Sequence, residues 1–153
     1  LGQFIKIYRP ACFDRVGLRY VNAFSREQLD LVGRRWNDLL QPSYLGVLDE
    51  DDIDEASVVK CSVDIERKLD AQSALKLHAG PGFVQRNIRN GGQVQRVQEK
   101  EVRFILDQDV YSTAKVKVAA VPETLNALHG HADQIFSDAI TTVLHDAMEP
   151  EYL

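Results

Sequence analysis

The residues best placed to do chemistry in this chain are two carboxylates two positions apart, Asp107 and Asp109. In an extended strand such residues share a face, roughly 7 Å apart at their Cα atoms. Carboxylates so placed can share a divalent cation, or divide acid and base roles between them. A cation there would take a further ligand from His78 or His129. The simpler expectation is a solvated strand face, because Leu106 and Val110 occupy the opposite side of the same strand.

The histidines open no second route. His129 and His131 lie about 200° apart around a helix axis, so one regular helix cannot bring both to one ion. His129 can pair with Asp133, one turn further on. His78 falls on the wet side of its strand and His145 on the outer side of a helix. No His-Glu-x-x-His and no Cys/His array occurs. Each histidine therefore reads as a structural or surface residue.

Two charge runs stand out. Asp49 to Glu55 holds six acids in seven positions and is expected to be a solvated loop. It fails the calcium-loop template, since Glu55 stands where the sharp-turn glycine belongs. The second run is basic: Arg86, Arg89, Arg96, Lys100 and Arg103 against Glu99 and Glu101. A basic hairpin rich in amides could contact phosphates. It has no aromatic residue for base stacking between Phe83 and Phe104, and the chain as a whole is acidic. Nucleic acid is thus a possible partner but not the favoured one. Gly80-Pro81-Gly82 is not a phosphate loop, and no nucleophile elbow is present.

The elements that must position these residues follow from hydrophobic period. Residues 3–8 read as a short strand, and 15–22 as a better one, with Val16, Leu18 and Tyr20 on one side. Ser25-Arg26-Glu27-Gln28 has capping-box form, and Leu29, Val32, Trp36, Leu39 and Leu40 recur at helical spacing. This predicts a helix over about 25–40. Residues 58–69 alternate as the longest strand, with Cys61 a buried small hydrophobe, and 74–79 form its hairpin partner until Gly80-Pro81-Gly82 breaks it. Residues 83–101 turn at Asn90-Gly91-Gly92 as a loose hairpin or mobile loop, and 102–111 form another strand. Pro122 then opens a helix predicted to run unbroken to Met148, with an apolar stripe from Leu125 onward. The expected architecture is α+β, a mainly antiparallel sheet with both helices packed on one face.

Composition fits one domain spanning 1–153. Apolar residues make up 44% and charged residues 27%, and the net charge is −5. No apolar run reaches the roughly 18–20 residues of a membrane span, so no membrane role is expected. Cys12 and Cys61 are too few for a disulfide scaffold, which favours a reducing cytoplasm.

Three segments together resemble one family. These are Arg15-Val16-Gly17-Leu18-Arg19-Tyr20-Val21-Asn22, Leu106-Asp107-Gln108-Asp109-Val110-Tyr111, and Leu128-His129 with Phe136, Ile140-Thr141 and Met148. In order and separation they are similar to a sporadically distributed group of uncharacterised bacterial proteins. The resemblance implies a bacterial cytoplasmic protein, with this chain as the C-terminal portion of a longer one. It supplies no activity and no catalytic residues. Gln108 stands where that pattern has an apolar residue, so the centre of its strand is expected to be less buried here.

A well-formed core without converging chemistry points to a non-enzymatic protein-interaction or regulatory domain. It would use an open sheet edge, the flanks of the last helix or self-association, and no cofactor is expected. The competing expectations are a metal-dependent enzyme or hydrolase using Asp107 and Asp109, and nucleic-acid contact through the basic segment.

Overall fold

A computed structural model gives the fold and describes residues 11–149. The expected strand at 3–8 lies outside the described residues. The fold is α+β with antiparallel sheets. Its centre is a four-stranded sheet in the order β2-β7-β4-β3, built from β2 (Gly17–Phe24), β3 (Val63–Lys68), β4 (Ser73–Gly82) and β7 (Arg103–Ser112). A short pair, β1 (Cys12–Phe13) with β8 (Val116–Lys117), lies beside it in sequence. A separate two-stranded ribbon is formed by β5 (Gln85–Asn90) and β6 (Gln93–Gln98). Helices α1 (Val121–Ala139) and α2 (Thr142–Met148) close the chain.

Strand β7 alternates perfectly. Phe104, Leu106, Gln108, Val110 and Ser112 are buried, and the residues between them are partly exposed. The buried side meets Leu75, Leu77 and Ala79 of β4 and Leu128, Ala132, Ile135 and Ala139 of α1 in one core. Gln108 is buried there, contrary to the expectation of a more exposed strand centre. Its amide nitrogen donates to the Ala132 carbonyl at 3.3 Å, which makes burial of one end tolerable, while Oε1 has no partner.

The predicted helix over 25–40 does not form. Ser25 Oγ accepts from the Gln28 N–H at 3.0 Å, and a single turn follows, Leu29 N–H to Ser25 carbonyl at 3.1 Å. The chain then turns through Asp30 at φ 57° and Gly33 at φ 94°. Both residue types tolerate the left-handed region and disfavour helix interiors. Val32, expected in the core, is 75% exposed. Tertiary contacts capture the turn instead. Glu101 accepts from Ser25 Oγ at 2.7 Å and from the Glu27 N–H at 3.1 Å, in place of the reciprocal Gln28 contact. Only a 3₁₀ turn at Trp36–Asp38 remains, followed by others at Pro42–Tyr44 and Gly46–Asp49. They still deliver Trp36, Leu39, Leu40, Leu45 and Leu48 to the core, with Trp36 and Phe104 rings 5.6 Å apart.

The closing helix is also broken, at Ile140-Thr141. Ile140 is extended and bridges Leu40, while Gln41 N–H donates to Ala139 O at 2.8 Å and Thr141 N–H to Leu39 O at 2.9 Å. Thr141 then caps α2, accepting from the Leu144 N–H. The β-branched run Ile140-Thr141-Thr142-Val143 weakens a helix at this point, and the 39–41 backbone offers the freed groups partners.

Two strand boundaries differ from expectation. The long strand begins at Val63 rather than 58, leaving Val59 fully exposed and Cys61 half-buried, with its thiol near the Leu45 carbonyl at 3.4 Å. Strand β4 runs on through Gly80-Pro81-Gly82 instead of stopping there. A Cβ at Gly80 would sit 2.4 Å from the Cys61 carbonyl oxygen, so the glycine admits the neighbouring backbone. Of the two forms expected for this stretch, residues 85–98 take the hairpin, in regular register, with Gly91 and Gly92 at positive φ in its two-residue turn. Among the described residues no helix is long and apolar enough to cross a membrane.

Candidate functional site

The sheet face turned away from α1 carries the predicted carboxylates. Register places Arg19, Asp109, Lys76 and Glu66 in one cross-strand row, and Val21, Asp107, His78 and Asp64 in the next. All of these except Val21 line an open depression. The first row alternates in charge from strand to strand, an arrangement that cross-strand pairing favours.

Asp107 is gripped by Arg19, whose Nε and Nη2 donate to its two oxygens at 2.9 and 2.7 Å. Arg15 donates to Asp109 at 2.6 Å, with its guanidinium 4.1 Å from the Tyr111 ring centroid. The hydrogen bond from Arg19, helped by its charge, holds the Asp107 carboxyl below the usual carboxylate range, with burial opposing. The same contact raises Arg19. A general acid at neutral pH needs the opposite shift. A cation would have to displace a bidentate guanidinium from Asp107.

The structure brings His78 beside these acids and keeps His129 away from them. His78 is the register partner of Asp107, and its Nδ1 lies 2.6 Å from Asp64. His129 sits on α1, 3.0 Å from the Tyr20 hydroxyl and 3.3 Å from Asp133, the pairing expected from sequence. His131 reaches the β3–β4 turn, 2.8 Å from Asp70. Asp70 is lowered to about 2, first by the Gln72 backbone N–H and then by His131. Among the described residues, the group of acids and histidines whose ligand atoms gather within 4.8 Å is His145, Asp146 and Glu149, all exposed and none a predicted ligand.

The acidic run is not uniformly solvated. Glu55 accepts from the Trp36 N–H at 2.8 Å and from Arg26 at 2.6 Å, and Arg26 stacks 3.8 Å from the Trp36 ring centroid. The basic candidates divide into two sets. Arg103 is held by Glu99 at 2.8 Å and lies 3.6 Å from Glu101, while Arg86 is held by Glu99 at 3.1 Å. Arg89, Arg96 and Lys100 make no ion pair within the described residues.

Sequence reading missed Arg15 and Arg19 as the partners of the acids, and Glu55 and Glu101 as organising carboxylates. The first pair had a signal: Arg15, just ahead of β2, and Arg19, inside it, fall on the same alternation and match the two-residue period of the acids in β7. Glu55 and Glu101 had none, because their partners come from distant turns.

No family model, curated protein or solved structure matches this chain.

Proposed function

We propose that this chain is a non-enzymatic interaction domain, with the β5–β6 ribbon as its principal contact element. The observation that carries this reading is the exposure of the ribbon. Every ribbon strand residue except the half-buried Val97 is exposed, including Ile88 and Val94. A two-stranded ribbon has little stability of its own, and a bare apolar residue on each strand favours use as a contact surface. The carboxylates that would serve an enzyme are engaged by arginines instead.

A protein partner or a second copy of the chain is within the same proposal, as are a cytoplasmic setting, supported by two free cysteines, and kinship with the bacterial family. Photo-crosslinking residues placed at Ile88 and, separately, at Lys76 on the open sheet face test the reading in cells. A discrete adduct from the ribbon position alone is expected. Equal adducts from both positions, or none from the ribbon, would defeat it.

A further inference from the structure

The ribbon is chemically unlike the rest of the molecule. Residues 84–98 contain three arginines, six Asn or Gln residues and no acid, although the whole chain carries a net charge of −5. The acids at its base are already engaged: Glu99 is paired with Arg86 and Arg103, and Glu101 accepts a hydrogen bond from the Ser25 hydroxyl with Arg103 3.6 Å away.

The two sides of the ribbon differ. Register places Gln85, Asn87, Arg89, Val94, Arg96 and Gln98 on one side, all exposed. The other side holds Arg86, already bound to Glu99, the half-buried Val97, and the exposed Ile88, Asn90, Gln93 and Gln95, with no unpaired cation among the described residues. Arg89 faces Val94 and Arg96 faces Asn87, so the two unpaired guanidiniums are diagonal neighbours.

That side is composed of the groups that read base edges. Arginine pairs with guanine O6 and N7, Asn and Gln pair with adenine N6 and N7, and an apolar group meets the thymine methyl. An antiparallel ribbon is narrow enough for the B-form major groove, about 12 Å wide, but the deep, narrow major groove of an RNA duplex excludes it. Diagonal residues stand roughly 7–8 Å apart, close to two base steps of about 3.4 Å. Single strands call for stacking aromatics, and residues 84–103 contain none.

We infer that the Gln85–Gln98 ribbon binds duplex DNA, laying its Arg89 and Arg96 side in the major groove. This rests on the ribbon being the contact element. Arg89, Arg96 and Lys100, without ion pairs among the described residues, supply the positive charge that draws the phosphates, and the two arginines add base preference.

The test is fluorescence anisotropy of the full chain with a mixed-sequence DNA duplex of about two helical turns, between roughly 50 and 200 mM salt. Binding should weaken with a log–log salt slope of about −2 to −3. Arg89→Ala and Arg96→Ala should each cost about tenfold in affinity, with the circular dichroism of the protein unchanged. Lys76→Ala, on the open sheet face, should bind as the parent does. The inference is overturned by no duplex binding at low salt, by arginine variants that bind like the parent, or by equal affinity for a single strand or an RNA duplex. If DNA is ignored while a crosslinker at Ile88 still captures a discrete protein, the DNA assignment fails and the interaction reading survives. If both fail, the ribbon is not a contact element.

Discussion

The open face of the central sheet and the β5–β6 ribbon are both polar and both carry arginine, yet their charges are organised in opposite ways. On the sheet face Arg15, Arg19 and Lys76 each meet a carboxylate supplied by a neighbouring strand or loop. On the ribbon Arg89 and Arg96 meet none within the described residues. Four strands place unlike charges side by side at fixed spacing, so the middle of the sheet satisfies its own ions, with Lys68 at the end of edge strand β3 outside that pairing among the described residues. Two strands with no acid between them cannot. A polar surface that is complete in itself has little to gain from a partner, whereas uncompensated guanidiniums retain their full capacity for one.

The comparison extends to stability. Phe104 is fully buried against Trp36, so Phe104→Ala should lower stability by about 3–5 kcal/mol in urea titration. Val94→Ala on the exposed ribbon should change it by no more than about 0.5 kcal/mol. A large effect of Val94→Ala would mean that the ribbon packs on the body and is no free arm.

Glycines divide in the same way. Gly80→Ala pushes a methyl group into the Cys61 backbone, and a loss of about 1–3 kcal/mol is expected from the same titration. Gly91→Ala meets no neighbour but strains a residue at φ 59°, at a cost of about 1–2 kcal/mol. That cost should appear as faster amide exchange within the ribbon, with the global unfolding midpoint unmoved. A midpoint shift from Gly91→Ala would tie the ribbon to the cooperative core.

Charge removal on the sheet face should be milder. Arg19→Ala breaks an exposed pair, and it should leave the urea midpoint close to that of the parent. Its signature is the Asp107 carboxyl, which should rise toward the ordinary range in an NMR titration because its main hydrogen bond is gone. An unmoved Asp107 would undo the account of a self-neutralised face.

The smallest effect concerns pH. Asp70 falls from its ordinary value of 3.8 to about 2 on folding. Its stabilising contribution is therefore complete above 3.8 and lost as pH falls through about 2. His131→Ala should raise the Asp70 midpoint only partway, since the Gln72 N–H remains its largest partner. Full return to 3.8 would assign the shift to the histidine alone.

The alternation of β2 and β7 was plain in the sequence, and so were the β3–β4 hairpin, the Asn90-Gly91-Gly92 turn and most of the core stripe of α1. Each depends on neighbours within a few residues, where period and turn chemistry act directly. The Asp107 and Asp109 pair was legible as a shared strand face, but its partners were not. Which strand lies beside β7 is settled by long-range pairing.

The failures have one cause. Periodicity at 25–40 marked Trp36, Leu39 and Leu40 as core correctly and Val32 wrongly, and it assigned all of them to the wrong backbone form. Glu101 and Glu55 hold that segment from positions far along the chain, and Asp30 and Gly33 bend it. The stripe through Ile140 likewise proved continuous in burial and broken in hydrogen bonding. The sequence by itself therefore determined most of the residues that leave water, because transfer free energy belongs to each side chain, while Val32, Val59 and Gln108 were decided by their tertiary neighbours. Tertiary structure decided which backbone carries them and which charges meet, because hydrogen bonds and ion pairs need two partners at one place.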